Sequence, residues 1–160
     1  MGIFGLFRAG CQVNAKSSIA GKTALALAAF VGNMDIFEML INHGGDIDFV
    51  DNHGWTIMHE AILGQSIDVI QYIIKARPAM KFKPNADGRT PLHLAAFCNV
   101  SLPVLKALLK PEDTMNLAKY KDCNDRSINQ MASLHSSYDW GAILCEEDEE
   151  EKSSSAKNVS

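Results

Sequence analysis

The chain has 160 residues, 47% of them apolar, with fifteen Lys and Arg against nineteen Asp and Glu, for a formal net charge of −4. Its apolar runs fall well short of the roughly 20 residues that span a bilayer, so no membrane association is expected, and the opening residues lack the basic start and long apolar core of a secretory leader. Six acids and two lysines lie in residues 146–160, leaving a body of zero net charge from which bulk attraction to nucleic acid is not expected.

Taken in chain order, one nine-residue block keeps returning. It begins as GKTALALAA over Gly21–Ala29, recurs as GWTIMHEAI over Gly54–Ile62, and again as GRTPLHLAA over Gly88–Ala96, at offsets of 33 and 34 residues. A weaker copy, DRSINQMAS over Asp125–Ser133, follows 37 residues later, with the excess length in residues 110–121. Each block reads as a short helix. Gly can take the positive φ of a turn entering it, Thr can accept from the free amides at its start, and paired alanines allow close helix approach. A second helical pattern follows each of the three clear blocks: Met34, Ile36, Phe37, Leu40 and Ile41, then Ile67, Val69, Ile70, Ile73 and Ile74, then Val104, Leu105, Leu108 and Leu109. The unit is thus a short helix, a tight turn, a longer helix and an extended connector. A stack of such units buries apolar faces that one unit leaves open.

The stretch Thr90-Pro-Leu-His-Leu-Ala-Ala96, at this period, resembles the ankyrin signature, and Leu40–Asp48 is similar to the ending of an ankyrin repeat. The resemblance implies an all-α solenoid of stacked helix-turn-helix units with short hairpin-like connectors. Its expected divisions are residues 21–53, 54–87, 88–124 and a degenerate 125–145, after a partial repeat tail or cap in 1–20 and before an acidic, Ser-rich, disordered tail in 146–160. Residues 6–16 resemble the end of a preceding repeat, as a truncated or alternative form of a longer array or an improvised cap would have. Three departures stand out. Asn129 replaces a buried Leu, where an unpaired amide costs about 1–3 kcal/mol, so the last unit should be a partly solvated cap. Gly64 falls one place early, and Pro78 follows a helix where a small residue is usual; both predict an irregular bend.

Catalytic patterns are missing. His59 and His93 share one repeat position, where the resemblance implies a bracing hydrogen bond rather than acid–base work, and Glu60 and Asp87 read as lone surface carboxylates. Cys11, Cys98, Cys123 and Cys145 show no zinc-ligand spacing and read as reduced thiols, so no metal, cofactor or enzymatic activity is expected. What remains is binding. After the paired-Ala position each unit places a large apolar residue, Phe30, Leu63, Phe97 and Leu134, which the resemblance places as a ladder along a concave groove, joined by Val31 and Cys98. The fingertip turns, the other contact surface that the resemblance implies, offer Ala20 and Lys22, then Asn52, His53 and Trp55, then Ala86, Asp87 and Arg89; Trp55 is the strongest single candidate as an exposed aromatic anchor, the alternative being that it lies flat over its neighbour's turn. Lys75, Arg77, Lys81, Lys83 and Arg89 form a basic cluster that could face an acidic partner. The expectation is a monomeric, cytoplasmic or nuclear module that holds another protein. The alternatives are an inhibitor that sequesters a transcription factor or other basic-surfaced partner, and a fragment or isoform of a larger scaffold.

Overall fold

The computed structural model describes residues 12–144; the terminal segments, including the acidic run of residues 146–151, lie outside the described residues. Helices α1 (Ala24–Val31), α3 (Ile57–Leu63), α5 (Pro91–Phe97) and α8 (Ile128–His135) form an inner row, each packed on the next. An outer row runs alongside: α2 (Met34–Asn42), α4 (Ile67–Ala76) and α6 (Leu102–Leu108). The core lies between the rows and is continuous, from Leu25 and Phe37 through Ile62, Ile70, Leu92 and Leu105 to Met131, Trp140 and Leu144. The outer helix is the longer of its pair in the first two repeats. In the third, α6 is no longer than α5 and gives way to Pro111.

Each inner helix starts the same way. Thr23, Thr56, Thr90 and Ser127 sit in extended conformation, and their side-chain oxygens accept from the amides of Ala26, His59, His93 and Gln130. The turns ahead of the first three are fixed by Gly21, Gly54 and Gly88 at φ 67°, 75° and 72°, a region open to glycine at little cost, and the turn ahead of α8 has Asp125 there at φ 59°. Asp51, Asn85 and Asp122 organise the last three of these turns, each accepting two backbone amides through Oδ1. The turns are also bonded to one another. The amides of Asn52, Ala86 and Cys123 donate to the carbonyls of Ala20, His53 and Asp87, at 3.2, 3.0 and 2.9 Å. Isolated antiparallel bridges, Val50 with Thr56 and Lys121 with Ser127, give the connectors their hairpin character. At the N-terminal side, Asn14 closes the first repeat by donating to the Gly44 carbonyl and accepting from the Asp46 amide.

The departures resolve individually. Gly64 is not misplaced: it has ordinary helical φ, and a Cβ there would run into the carbonyl oxygen of Phe30 in the preceding helix. The left-handed position one residue later is held by Gln65 at φ 51° and by Asn99 at φ 48° in the next repeat. Both side chains reach the following unit, Gln65 Oε1 accepting from the Ser101 amide and Asn99 Oδ1 from that of Ser137. Pro78 opens a 3-10 turn, Pro78–Phe82, and the extra residues of the third connector form another, Pro111–Asp113, followed by α7 (Thr114–Lys119). Asn129 is exposed to solvent.

The basic cluster expected near residue 80 does not form. Lys81 is buried, bonded to Asp113 at 2.5 Å and to the Leu108 carbonyl at 3.3 Å. Arg77 pairs with Asp48 and Arg89 lies 3.9 Å from Asp122, so of the five only Lys75 and Lys83 stay exposed without an ion pair among the described residues. The residues adjoin in sequence, but the two 3-10 turns direct them to different acids. Gly64→Ala should lower stability by about 1–3 kcal/mol because backbone must shift, whereas Gln65→Gly, which trades a strained φ for one lost hydrogen bond, should change it by less. Urea midpoints of the two variants check this.

Candidate functional site

The repeat places two rows of side chains along the stack. The fingertip row is Lys22, Trp55, Arg89 and Arg126, each between the turn residue and the helix cap. The second row comes from the ends of the inner helices, and it is open: Phe30 is 44% exposed, Leu63 37%, Phe97 50% and Leu134 68%. The two rows meet at Arg89, whose guanidinium carbon lies 5.9 Å from the Phe97 ring centroid. Phe97 also stands edge-on to His135 at 5.1 Å. Val31 and Cys98 are exposed beside the ladder.

The remaining candidates divide by how the turns hold them. His53 and Asp87 are exposed at the tips. Asn52 is exposed as well, but its side chain fills the space beside Gly21. Trp55 is half-buried against the core and tilted onto His59 of its own repeat, with ring centroids 5.4 Å apart. Arg89 is half-covered, and its neighbour Arg126 makes the closer contact with Asp122, at 2.9 Å. Burial raises the Asp122 carboxyl, but the hydrogen bonds from the Arg126 side chain and from the Arg126 and Asn124 amides, with the Arg126 charge, outweigh it and hold the group below its ordinary value.

Glu60, expected on the surface, is buried. It occupies the position of Leu27, Leu94 and Met131 and is only 2% exposed, with Lys22 of the preceding repeat 2.7 Å away. Three apolar residues at that position were the available signal: a carboxylate there has to find a cation. Lys22 reaches it from the fingertip row.

His59 and His93 are braces, as the resemblance implies. The Nε2 of His59 lies 3.1 Å from the Arg89 carbonyl, which can only accept, so Nε2 carries the proton. Its Nδ1 then accepts from the Thr56 amide at 3.1 Å. His93 repeats this with the Thr90 amide and the Arg126 carbonyl. Burial is the chief reason that the His59 pKa falls from 6.5 to about 4, against the opposing pull of the Arg89 carbonyl and the Asp51 charge. Burial likewise lowers that of His93, which the Arg126 carbonyl and the Asp122 charge partly restore. Among the described residues, no three His, Cys, Asp or Glu side chains converge as metal ligands, and no helix is long and apolar enough to cross a membrane.

Comparison with known proteins accords with this geometry. Residues 3–83 match the family model for ankyrin repeats in tandem copies, and residues 87–118 match that of the ankyrin repeat. The chain belongs to the ankyrin-repeat family. It is 32% identical over 98 residues to a putative ankyrin repeat protein of Fowlpox virus (strain NVSL), an alignment covering 59% of this chain and 29% of the viral one. Identity with the Neurogenic locus Notch protein of Drosophila melanogaster is 34% over 91 residues, 57% of this chain and 3% of that protein. With human Ankyrin repeat and SOCS box protein 3 it is 33% over 76 residues, 46% and 15% of the two chains. The chain therefore spans less than a third of the length of these curated relatives. Ankyrin repeats are in general non-catalytic modules for protein–protein contacts.

The histidines make stability depend on pH in a definite direction. Below pH 6.5 the unfolded chain takes up protons that folded His59 refuses until about pH 4. The stabilisation is complete above 6.5 and is lost as pH falls toward 4, on the order of 3 kcal/mol for His59. Urea midpoints should fall between pH 7 and pH 4.5. His59→Gln, which can cap as Gln130 does, should start lower at pH 7 and fall less. For the buried pair, Lys22→Met should cost more than the double variant Lys22→Met/Glu60→Leu, because the single change leaves a buried charge alone. Thermal midpoints of the two test it.

Proposed function

We propose that this chain is a protein-binding module that holds a partner protein against the fingertip row and the apolar ladder. The observation carrying this reading is the ladder itself: four large apolar side chains at one repeat position, each at least 37% exposed, in consecutive units. Single exposed apolar residues are ordinary on a protein surface, but a periodic strip of them is costly unless something covers it. The scaffold is suited to the task. The capped helices and inter-turn hydrogen bonds hold the strip without the ordering cost that flexible loops carry on binding. Phe30, Leu63 and Phe97 supply apolar area, Trp55 and the Arg89 guanidinium supply anchors, and Asn52, His53 and Asp87 form a polar rim. We place the module in the cytoplasm or nucleus, where the exposed thiols Cys98 and Cys123 would stay reduced.

Affinity capture from native lysate with the intact chain, beside Phe30→Ala/Leu63→Ala/Phe97→Ala and Trp55→Ala variants, tests the reading. All three ladder positions are partly solvated, so the triple variant should keep its fold, shown by an unfolding midpoint close to that of the parent. Partners held by the groove should lose about tenfold or more in affinity. An unchanged set of bound proteins, at unchanged affinity, would remove this surface from the function.

A further inference from the structure

Arg89 differs from the other cations of the fingertip row in having no acceptor for its guanidinium. Lys22 pairs with Glu60, and Arg126 donates to Asp122 through both Nε and Nη2. Arg89 is directed at the same Asp122, but its Nε stops 3.9 Å from Oδ2, outside hydrogen-bond reach. That carboxylate is already saturated. Its Oδ1 accepts from the amides of Asn124 and Arg126, its Oδ2 accepts from the two Arg126 groups, and its side chain is fully buried. Asp87, the acid nearest Arg89 in sequence, makes no ion pair with it among the described residues. Arg89 Nε is left buried without a partner, a state that costs stability, and among the described residues the two Nη groups have no acceptor either.

The unsatisfied group is nevertheless held in place. Its guanidinium carbon lies 5.9 Å from the Phe97 ring centroid, and His135 meets the same ring edge-on at 5.1 Å. The backbone of Arg89 is tied on both sides, its amide donating to Asn85 Oδ1 and its carbonyl accepting from His59 Nε2. Both partners of the shelf reach solvent: the Arg89 side chain is 33% exposed and Phe97 50%. Arg89 and Arg126 against Asp122 leave one positive charge uncompensated there, since nearby Asp125 is paired with Lys121. A carboxylate arriving from outside would meet the Nη groups end-on and give Arg89 what Asp122 gives Arg126.

We propose that Arg89 and Phe97 form the selective point of the groove, taking an Asp or Glu side chain of the partner on the guanidinium and an apolar side chain of the same segment on the ring. This rests on the reading of the groove as a partner-binding surface and adds the chemistry of the partner. The 5.9 Å between guanidinium and ring suits two residues on one face of a single segment. Such residues lie about 5–6 Å apart when three or four along a helix, and roughly 7 Å apart when two along a strand. A basic segment would bring like charge against Arg89. The acidic run of this chain, residues 146–151, fits less well. The apolar residues beside it, Ile143 and Leu144, belong to the core, and on its other side stand Lys152 and three serines.

The test selects peptides from a random library on the full chain and measures one of them by fluorescence anisotropy. Enriched sequences should carry an Asp or Glu about two to four positions from an aromatic or large aliphatic residue. Replacing that acid by its amide, or Arg89→Gln in the protein, should each weaken binding about tenfold or more, and both together little further than either alone. Arg77→Gln removes the same charge from a connector and should leave affinity unchanged, which separates direct contact from bulk attraction. Arg89→Gln should keep the parent's circular dichroism spectrum and urea midpoint, because its backbone contacts remain. Arg89→Glu should select Lys or Arg in place of the acid. Peptides that bind, are lost in Phe30→Ala/Leu63→Ala/Phe97→Ala, and yet lack an acid or ignore Arg89→Gln would overturn this proposal and leave the groove reading standing. Peptides indifferent to the triple variant, or no peptides at all, would overturn both. Binding that emerges only when the six acids of residues 146–151 are replaced by their amides would make that run the occupant and overturn the proposal as well.

Discussion

A neutral imidazole joins the second repeat to the third and the third to the fourth, and the placing of those fingertips depends on it. His59 and His93 each close the start of their own helix through Nδ1 and hold the next fingertip through Nε2. The ring can do both only while it carries one proton, on Nε2. Burial enforces that state, so the bond that sets the spacing of the fingertips also keeps a titratable group silent at neutral pH. With the turns placed, the inter-turn backbone bonds form, the inner helices come into line, and the side chains at their ends fall into a row.

Tolerance for variation depends on how each irregular residue is compensated. Gln65 and Asn99 accept a strained backbone and use their side chains to bind the following unit. Lys81 and Asp113, both buried, come from the two 3-10 turns that interrupt the period and tie those turns together. Phe82 stacked on Tyr120 at 5.2 Å links the same two connectors. The insertions thus contribute their own contacts instead of hanging from the array.

The two ends of the described array differ in chemistry. Asn129 and Ser133 finish the trailing side with groups that water satisfies, whereas Ala24, Leu27 and Val31 leave the leading side apolar. Surface and end are built from the same repeat, which is why a single register describes both.

The amino-acid sequence by itself determined the period, the capped inner helices, the fold class and the ladder Phe30, Leu63, Phe97 and Leu134. All of these follow from local spacing repeated at a fixed interval, and repetition is visible in one dimension. It also marked the exposed terminal position of Asn129. Tertiary structure alone decided the charges. In the sequence Glu60 reads as a surface acid because nothing nearby pairs with it, and Lys81 as part of a basic patch because its neighbours are basic. Their partners, Lys22 and Asp113, lie 38 and 32 residues away and meet them only when repeats stack. Gly64 belongs with them. Its role is an approach between two backbones, and a sequence records which side chain is missing but not what fills the space it leaves.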